Sequence, residues 1–161
     1  LWYIIEIKPK SLKSKLFELN SFDWLNSKVI IKKIMIKNFL IMDCIGNNDR
    51  LGLRINKDFF IYNFKIENNV NETLVKEVSS FLKKHNVKLD ETFSIIVNQG
   101  PGSFSSTRIS LAVAKGLKIS KKISIYGYRN TDLKVFNQEN VEKLLNKKLI
   151  EKKLIKPIYL S

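Results

Sequence analysis

Phe93-Ser94-Ile95-Ile96-Val97-Asn98-Gln99-Gly100-Pro101-Gly102-Ser103-Phe104-Ser105-Ser106-Thr107-Arg108 passes from an apolar run through a loop and into a helix. Phe93 to Val97 is short, apolar and partly β-branched, as in a strand covered on both faces. Gly100 and Gly102 permit backbone angles or close approaches that a Cβ forbids, while Pro101 fixes its own φ and restricts Gly100. Ser103 or Ser105 then offers an oxygen to cap the orphan N–H groups of a helix expected over Ser103 to Ser120. Such a terminus can bind an anion, so Gly100, Pro101, Gly102, Ser103, Ser105 and Arg108 form a candidate anion-binding loop. The spacing fits neither a Walker A loop nor a GxGxxG fingerprint.

Upstream, Phe39-Leu40-Ile41-Met42 is a buried-type strand within Asn38 to Asp43, and Gly46-Asn47-Asn48-Asp49 is a tight turn. Leu51, Leu53 and Ile55 alternate with Gly52 and Arg54, and Asn56-Lys57-Asp58 turns the chain into a third strand from Phe59 to Ile66. Leu74, Val78, Phe81, Leu82 and His85 recur at spacings of three and four, which predicts a helix from about Asn71 to Asn86. Downstream come a short strand from Ile123 to Tyr126 and an amphipathic helix over roughly Glu139 to Lys153, with Val141, Leu144, Leu145, Leu149 and Leu154 inward. The order βββαβαβ plus a C-terminal helix predicts an α/β fold. A meander followed by crossover units gives a mixed sheet with its later strands parallel, the actin-like or ribonuclease-H-like half-fold.

Met35 stands directly before the first convincing strand, so residues 1–34 are expected to be an N-terminal extension read from upstream sequence. Within it Trp2 to Ile7 is a candidate short strand and Ser11 to Leu19 a candidate pair of helical turns. The main lobe is then expected over 35–133, with the C-terminal helix and tail over 134–161.

The 161 residues suit one domain with a substantial core. The net charge of +14 invites a polyanion, but 25 Lys, 21 Ile and 16 Asn fill 62 positions, and all three are spelled by AT-rich codons. Lys outnumbers Arg 25 to 4, so much of the basic excess reflects composition. Cys44 has no disulfide partner and fits a reducing compartment. Apolar runs stay far below the ~18 residues of a membrane span, and no export signal is visible in the first thirty residues, so a cytoplasmic protein is expected. One His and one Cys make a zinc site unexpected.

Between Glu91 and Asp132 no acidic residue occurs, while Arg108, Lys115, Lys118, Lys121, Lys122 and Arg129 do. Cations at the C-terminal end of a helix complement its dipole, but Arg108 in the first turn opposes it and calls for a carboxylate or a bound anion nearby. Ile109, Ala112, Val113, Gly116 and Leu117 form one helix face, and Ala112 and Gly116 leave it shallow. That face suits close packing against the 71–86 helix, the sheet, or a helix of another chain.

Gly100-Pro101-Gly102-Ser103-Phe104-Ser105-Ser106-Thr107-Arg108-Ile109-Ser110, followed by Ala114-Lys115-Gly116-Leu117, resembles the TsaB family of tRNA threonylcarbamoyladenosine biosynthesis proteins, whose segment reads GPGSFTGxRIG and runs into AKGL. Ile41-Met42-Asp43, Glu72-Thr73-Leu74 and the closing Pro157-Ile158-Tyr159-Leu160 add weaker agreement, so the likeness covers about 35 to 133 and the tail. It implies an actin-like, non-catalytic scaffold for the paralogue TsaD, which binds metal and ATP and transfers the threonylcarbamoyl group to tRNA. In the family two helices of the first lobe join two of TsaD in a four-helix bundle, and TsaE, an ATPase, joins the pair. Carried over, the interface comprises Glu72, Leu74, Val78, Leu82, Ile109, Ala112, Val113 and Gly116. The likeness further implies indirect contact with tRNA, no cofactor of the chain's own, ATP only at a site shared within the complex, and a homodimer through the same helices as an alternative. Three departures stand out: Asp43-Cys44-Ile45 replaces Asp-Thr-Ser, Ser105-Ser106 replaces Thr-Gly, and Val70 replaces the His of HSE. With one helix between Leu133 and the tail, the second lobe of full-length members is almost absent.

Two rival readings differ in kind. A nucleotide-binding enzyme lobe would need Ser103 as nucleophile or His85 as base, and no base is visible for Ser103. Cys44 reads as a buried strand-end thiol. A basic tRNA-binding accessory domain would use the net charge and stack a base on Tyr126, Tyr128 and Arg129.

Overall fold

The computed structural model describes residues 36–46, 48–65, 70–152 and 155–159, with the side chains of Val70 and Asn71 left aside. The chain divides into two units, Leu1–Met35 and Ile36–Ser161, and the second is described here. The strand and helix expected within residues 1–34 lie outside the described residues.

Five strands form one mixed sheet in the order β3-β2-β1-β4-β5. β1 (Phe39–Asp43) runs antiparallel to β2 (Asp49–Ile55), which pairs antiparallel with β3 (Asp58–Phe64). On its other side β1 runs parallel to β4 (Ser94–Asn98), and β4 parallel to β5 (Ser124–Tyr128). Asp43 therefore faces Arg50 across the hairpin, and Asn98 lies beside Tyr128. The continuous apolar runs of β1 and β4 follow from this central position, because both faces of each strand are covered.

Alternation divides the core in two. Leu40, Met42, Ile95 and Val97 point to the layer holding α1 (Val70–Lys84) and α2 (Phe104–Lys121). Phe39, Ile41, Ile96, Tyr126 and Tyr128 point to the opposite layer, where Leu133, Phe136 and α3 (Gln138–Asn146) cover them. Glu72 in the first turn of α1 and Lys83 and Lys84 in its last complement the helix dipole. Left-handed Asn86 and Lys122 turn the chain out of α1 and α2.

The expected βββαβαβ order and mixed sheet are present. The C-terminal helix is shorter than its periodicity predicts. Asn137 caps its start by accepting from the Asn140 N–H at 2.9 Å, but the helix ends at Asn146 and Lys148 turns left-handed. Glu151 then exchanges two backbone hydrogen bonds with Gly127, 2.8 and 2.7 Å, along the free edge of β5. Satisfying an open strand edge outweighs another helical turn here. Leu149 is consequently 40% exposed, and Leu154 lies outside the described residues.

Candidate functional site

The loop after β4 sits at the carboxyl end of the parallel strands, and its backbone is tied down from three directions. The side-chain amide of buried Asn98 donates to Asp43 Oδ1 at 2.7 Å and to Asn130 Oδ1 at 3.2 Å, and its Oδ1 accepts the Gly100 N–H at 2.9 Å. Asp43 also holds the Arg50 guanidinium. The Gly100 carbonyl accepts from the Asn130 N–H at 2.8 Å, and Ser103 N–H donates to the Ile45 carbonyl at 2.7 Å. Gln99 fastens the tail, because its backbone carbonyl accepts from Ile158 N–H at 2.6 Å and its side chain accepts from Lys156 N–H at 3.2 Å. Gly100 has φ +102°, and a Cβ there would lie 2.4 Å from the Ile158 carbonyl oxygen, so no side chain fits.

The helix start departs from the expected capping. Ser103 occupies the cap position, but its hydroxyl makes no cap bond and instead accepts from the Ser106 hydroxyl at 3.3 Å. Ser105 lies exposed in the first turn. Of the candidate anion-binding residues, Gly100 is buried, Pro101 and Gly102 are half-buried, and Ser103, Ser105 and Arg108 reach the surface. Arg108 has no carboxylate partner among the described residues; its guanidinium lies 4.9 Å from the centre of the Phe104 ring. Within the described residues an aromatic face, not a carboxylate, lies against it.

The eight candidate interface residues separate into three groups. Leu74, Val78 and Leu82 are buried in this chain's own core and face the sheet, which corrects their assignment to a partner surface. Their apolar stripe is complete without a second molecule. Ile109 and Val113 are half-buried along the flank of α2 that packs on the α1 side of the core. Glu72, Ala112 and Gly116 are exposed, and a Cβ on Gly116 would meet nothing within 4 Å. Sequence reading missed Val75, 53% exposed on α1, and Ile119, 81% exposed on α2. Both are apolar residues out of phase with their helices' buried stripes, which was the signal available.

The groups invoked by the rival readings are placed as follows within the described residues, Tyr126 and Tyr128 differently from expectation. Tyr126 and Tyr128 are buried and cannot stack an outside base, and Arg129 pairs with Glu151 at 3.8 Å. His85 packs its ring between Phe60 and Phe81, with centroids 4.1 and 5.0 Å away. Among the described residues the Ser103 hydroxyl bonds only to the Ser106 hydroxyl. Burial, with Asp49 and Asp43 nearby, pushes the Cys44 thiol well above its ordinary range, which keeps it a neutral packing group. Burial raises Tyr128 in the same way, and the adjacent Asp43 adds to it. Among the described residues no three His, Cys, Asp or Glu side chains gather as a metal site, and no helix is long and apolar enough to cross a membrane.

A meander, two crossover helices on one face and a parallel second half define the actin-like class of half-fold. Solved structures agree: YeaZ from Pseudomonas aeruginosa matches with a TM-score of 0.54 at 18% identity, over 70% of this chain and 50% of that one. A second structure, described as an uncharacterized protein with similarity to peptidase YeaZ from Pseudomonas aeruginosa, matches with a TM-score of 0.55 at 19% identity, over 60% and 45%. In sequence, residues 65–144 match the family described as TsaD, tRNA N6-adenosine threonylcarbamoyltransferase. The tRNA threonylcarbamoyladenosine biosynthesis protein TsaB of Buchnera aphidicola (subsp. Baizongia pistaciae, strain Bp) is 36% identical over 90 residues, 52% of this chain. The chain's resemblance to TsaB is therefore shown in both sequence and fold, and the match spans 41% of that relative's length.

Proposed function

We propose that this chain serves tRNA threonylcarbamoyladenosine biosynthesis as a non-catalytic scaffold that binds a TsaD-type threonylcarbamoyltransferase. The observation that carries the proposal is the open outer side of the α1 and α2 pair. Ala112 and Gly116 are exposed on α2, Val75 is an exposed apolar residue on α1, and small residues on α2 allow another helix to approach closely. The interface then uses Glu72, Val75, Ile109, Ala112, Val113 and Gly116, without the three core residues of α1. The loop after β4 supports a structural role, since so much of its hydrogen bonding is internal. Its first-turn hydroxyls find no base among the described residues. The chain needs no cofactor of its own in this reading; ATP binds at a site shared within the complex, TsaE joins the pair, and the assembly works in the cytoplasm.

Co-expression with a TsaD-type partner tests it. Because Ala112 and Gly116 face solvent, Ala112→Trp and Gly116→Trp should fold as the parent does yet fail to co-purify with the partner. Undiminished co-purification of both variants overturns the proposed face. Mass spectrometry of tRNA nucleosides after deletion of the gene should show loss of threonylcarbamoyladenosine, and an unchanged level overturns the role itself.

A further inference from the structure

Phe104, at the start of α2, is 56% exposed, and Tyr159, in the tail, is 42% exposed. Their ring centroids lie 4.8 Å apart with planes inclined by 31°, and the Arg108 guanidinium sits over the Phe104 ring. Three planar groups from two distant parts of the chain are thus assembled at the surface. We infer that this group is a stacking platform for an unpaired nucleic-acid strand, whose bases continue the stack while its phosphates follow the cations of α2.

Single exposed aromatic residues are ordinary and argue nothing alone. The argument rests on the arginine and on the charge around it. Lys outnumbers Arg 25 to 4 in this chain, so arginine stands against a strong compositional pull. Arg50, Arg54 and Arg129 each pair with a carboxylate, from Asp43, Glu142 and Glu151 respectively. Arg108 instead offers its flat guanidinium to a ring, a task that lysine's compact ammonium does poorly. Phe104, Arg108, Lys115 and Lys122 follow one another at spacings of four and seven residues, which sets them along one side of α2 and its cap. Lys115 lies about 10 Å beyond Arg108 at the helical rise. No acidic residue occurs between Glu91 and Asp132, so nothing on this helix neutralises the stripe. Every base has a π-face, so aromatic and arginine planes beside a cationic track bind single strands with little regard to sequence. A duplex hides those faces and offers only phosphates. This surface differs from the Tyr126, Tyr128 and Arg129 group that sequence alone suggested, and it does not depend on the scaffold role.

The test uses the full chain alone and fluorescence anisotropy with labelled oligoadenylate dodecamers as RNA and as DNA, plus an RNA duplex of the same length. The single strands should bind more tightly than the duplex. Phe104→Ala and Tyr159→Ala should each weaken single-strand binding by about fivefold or more, Tyr159→Phe should bind like the parent, and Arg108→Lys should lose affinity although it keeps the charge. Lys115→Ala should reduce the slope of log K against log salt by about 0.7. A preference for the RNA dodecamer assigns the site to RNA, and equal binding of both assigns it to single strands in general. Equal affinity for the duplex, or unchanged binding by Tyr159→Ala and Arg108→Lys in protein that melts like the parent, overturns the inference. So does a loss of co-purification with a TsaD-type partner in those variants without any loss of oligonucleotide binding, which makes the platform a protein contact.

Discussion

α1 and α2 cover the same face of one sheet, yet they meet it on opposite plans. α1 buries Leu74, Val78, Phe81 and Leu82, and among its described side chains the exposed ones apart from Val75 are polar. α2 buries Thr107, Ser110, Leu111 and Ala114, while Phe104 and Ile119 stand outside. Three of the four buried residues are small, which lets α2 lie close to the strands; Leu111 is the large one, and Ile109, Val113 and Leu117 are half-buried against the same core. α1 also follows the dipole rule at both ends, whereas α2 has no acid in its first turn and carries Arg108 there. A helix of the first kind is stabilised by what it touches inside the chain. One of the second kind leaves Phe104, Arg108 and Ile119 at the surface, where the proposed outside contacts are to be tested.

Stability measurements can break this contrast. The largest effect belongs to α1: Leu74→Ala should cost about 2–5 kcal/mol in urea denaturation, since a fully buried leucine leaves a cavity. A loss below about 1 kcal/mol would mean that the stripe is not core. The next effect appears in alkali, at the strand ends. The folded values of Cys44 and Tyr128 are raised, so between the ordinary and raised values the unfolded chain releases a proton that the folded chain keeps. Their contribution is complete below the ordinary values, 9.0 for Cys44 and 10.0 for Tyr128, and is lost as pH rises above them. Each group removes up to about 1.4 kcal/mol per pH unit within its window. Cys44→Ala should delay the onset from near pH 9 to near pH 10, and an identical onset in both proteins would show that the thiol is not held neutral.

The same contrast explains what could be read in advance. β1 and β4 were legible because continuous apolar runs have few other uses, and α1 because its large residues share one side. Periodicity shows which residues share a face but not what covers it, so Leu74, Val78 and Leu82 were open to assignment outward. For α2 the extent was legible and the orientation only partly so: its inner face includes Thr107 and Ser110, and a hydrophobic pattern gives such residues no weight. The end of α3 was misplaced because Leu149 continues a helical pattern that pairing of Glu151 with Gly127 overrides. The contact of Phe104 with Tyr159 joins positions more than fifty residues apart, and no local pattern announces it.

Two smaller effects sharpen the reading of α2. The Thr107 hydroxyl is buried without a hydrogen-bond partner among the described residues, so Thr107→Val, which keeps the shape, should raise stability by about 1 kcal/mol. A loss of similar size would show that the hydroxyl has a partner, such as an ordered water. Gly116→Ala should have the smallest effect, a gain of about 0.5–1 kcal/mol, because alanine favours the helix and its methyl group meets open space. In the isolated chain glycine therefore holds a position where local stability favours alanine. If the gain appears while co-purification with a TsaD-type partner weakens, the missing methyl serves an approach from outside. If alanine destabilises the isolated chain, Gly116 is covered by its own polypeptide and the outward reading of α2 fails.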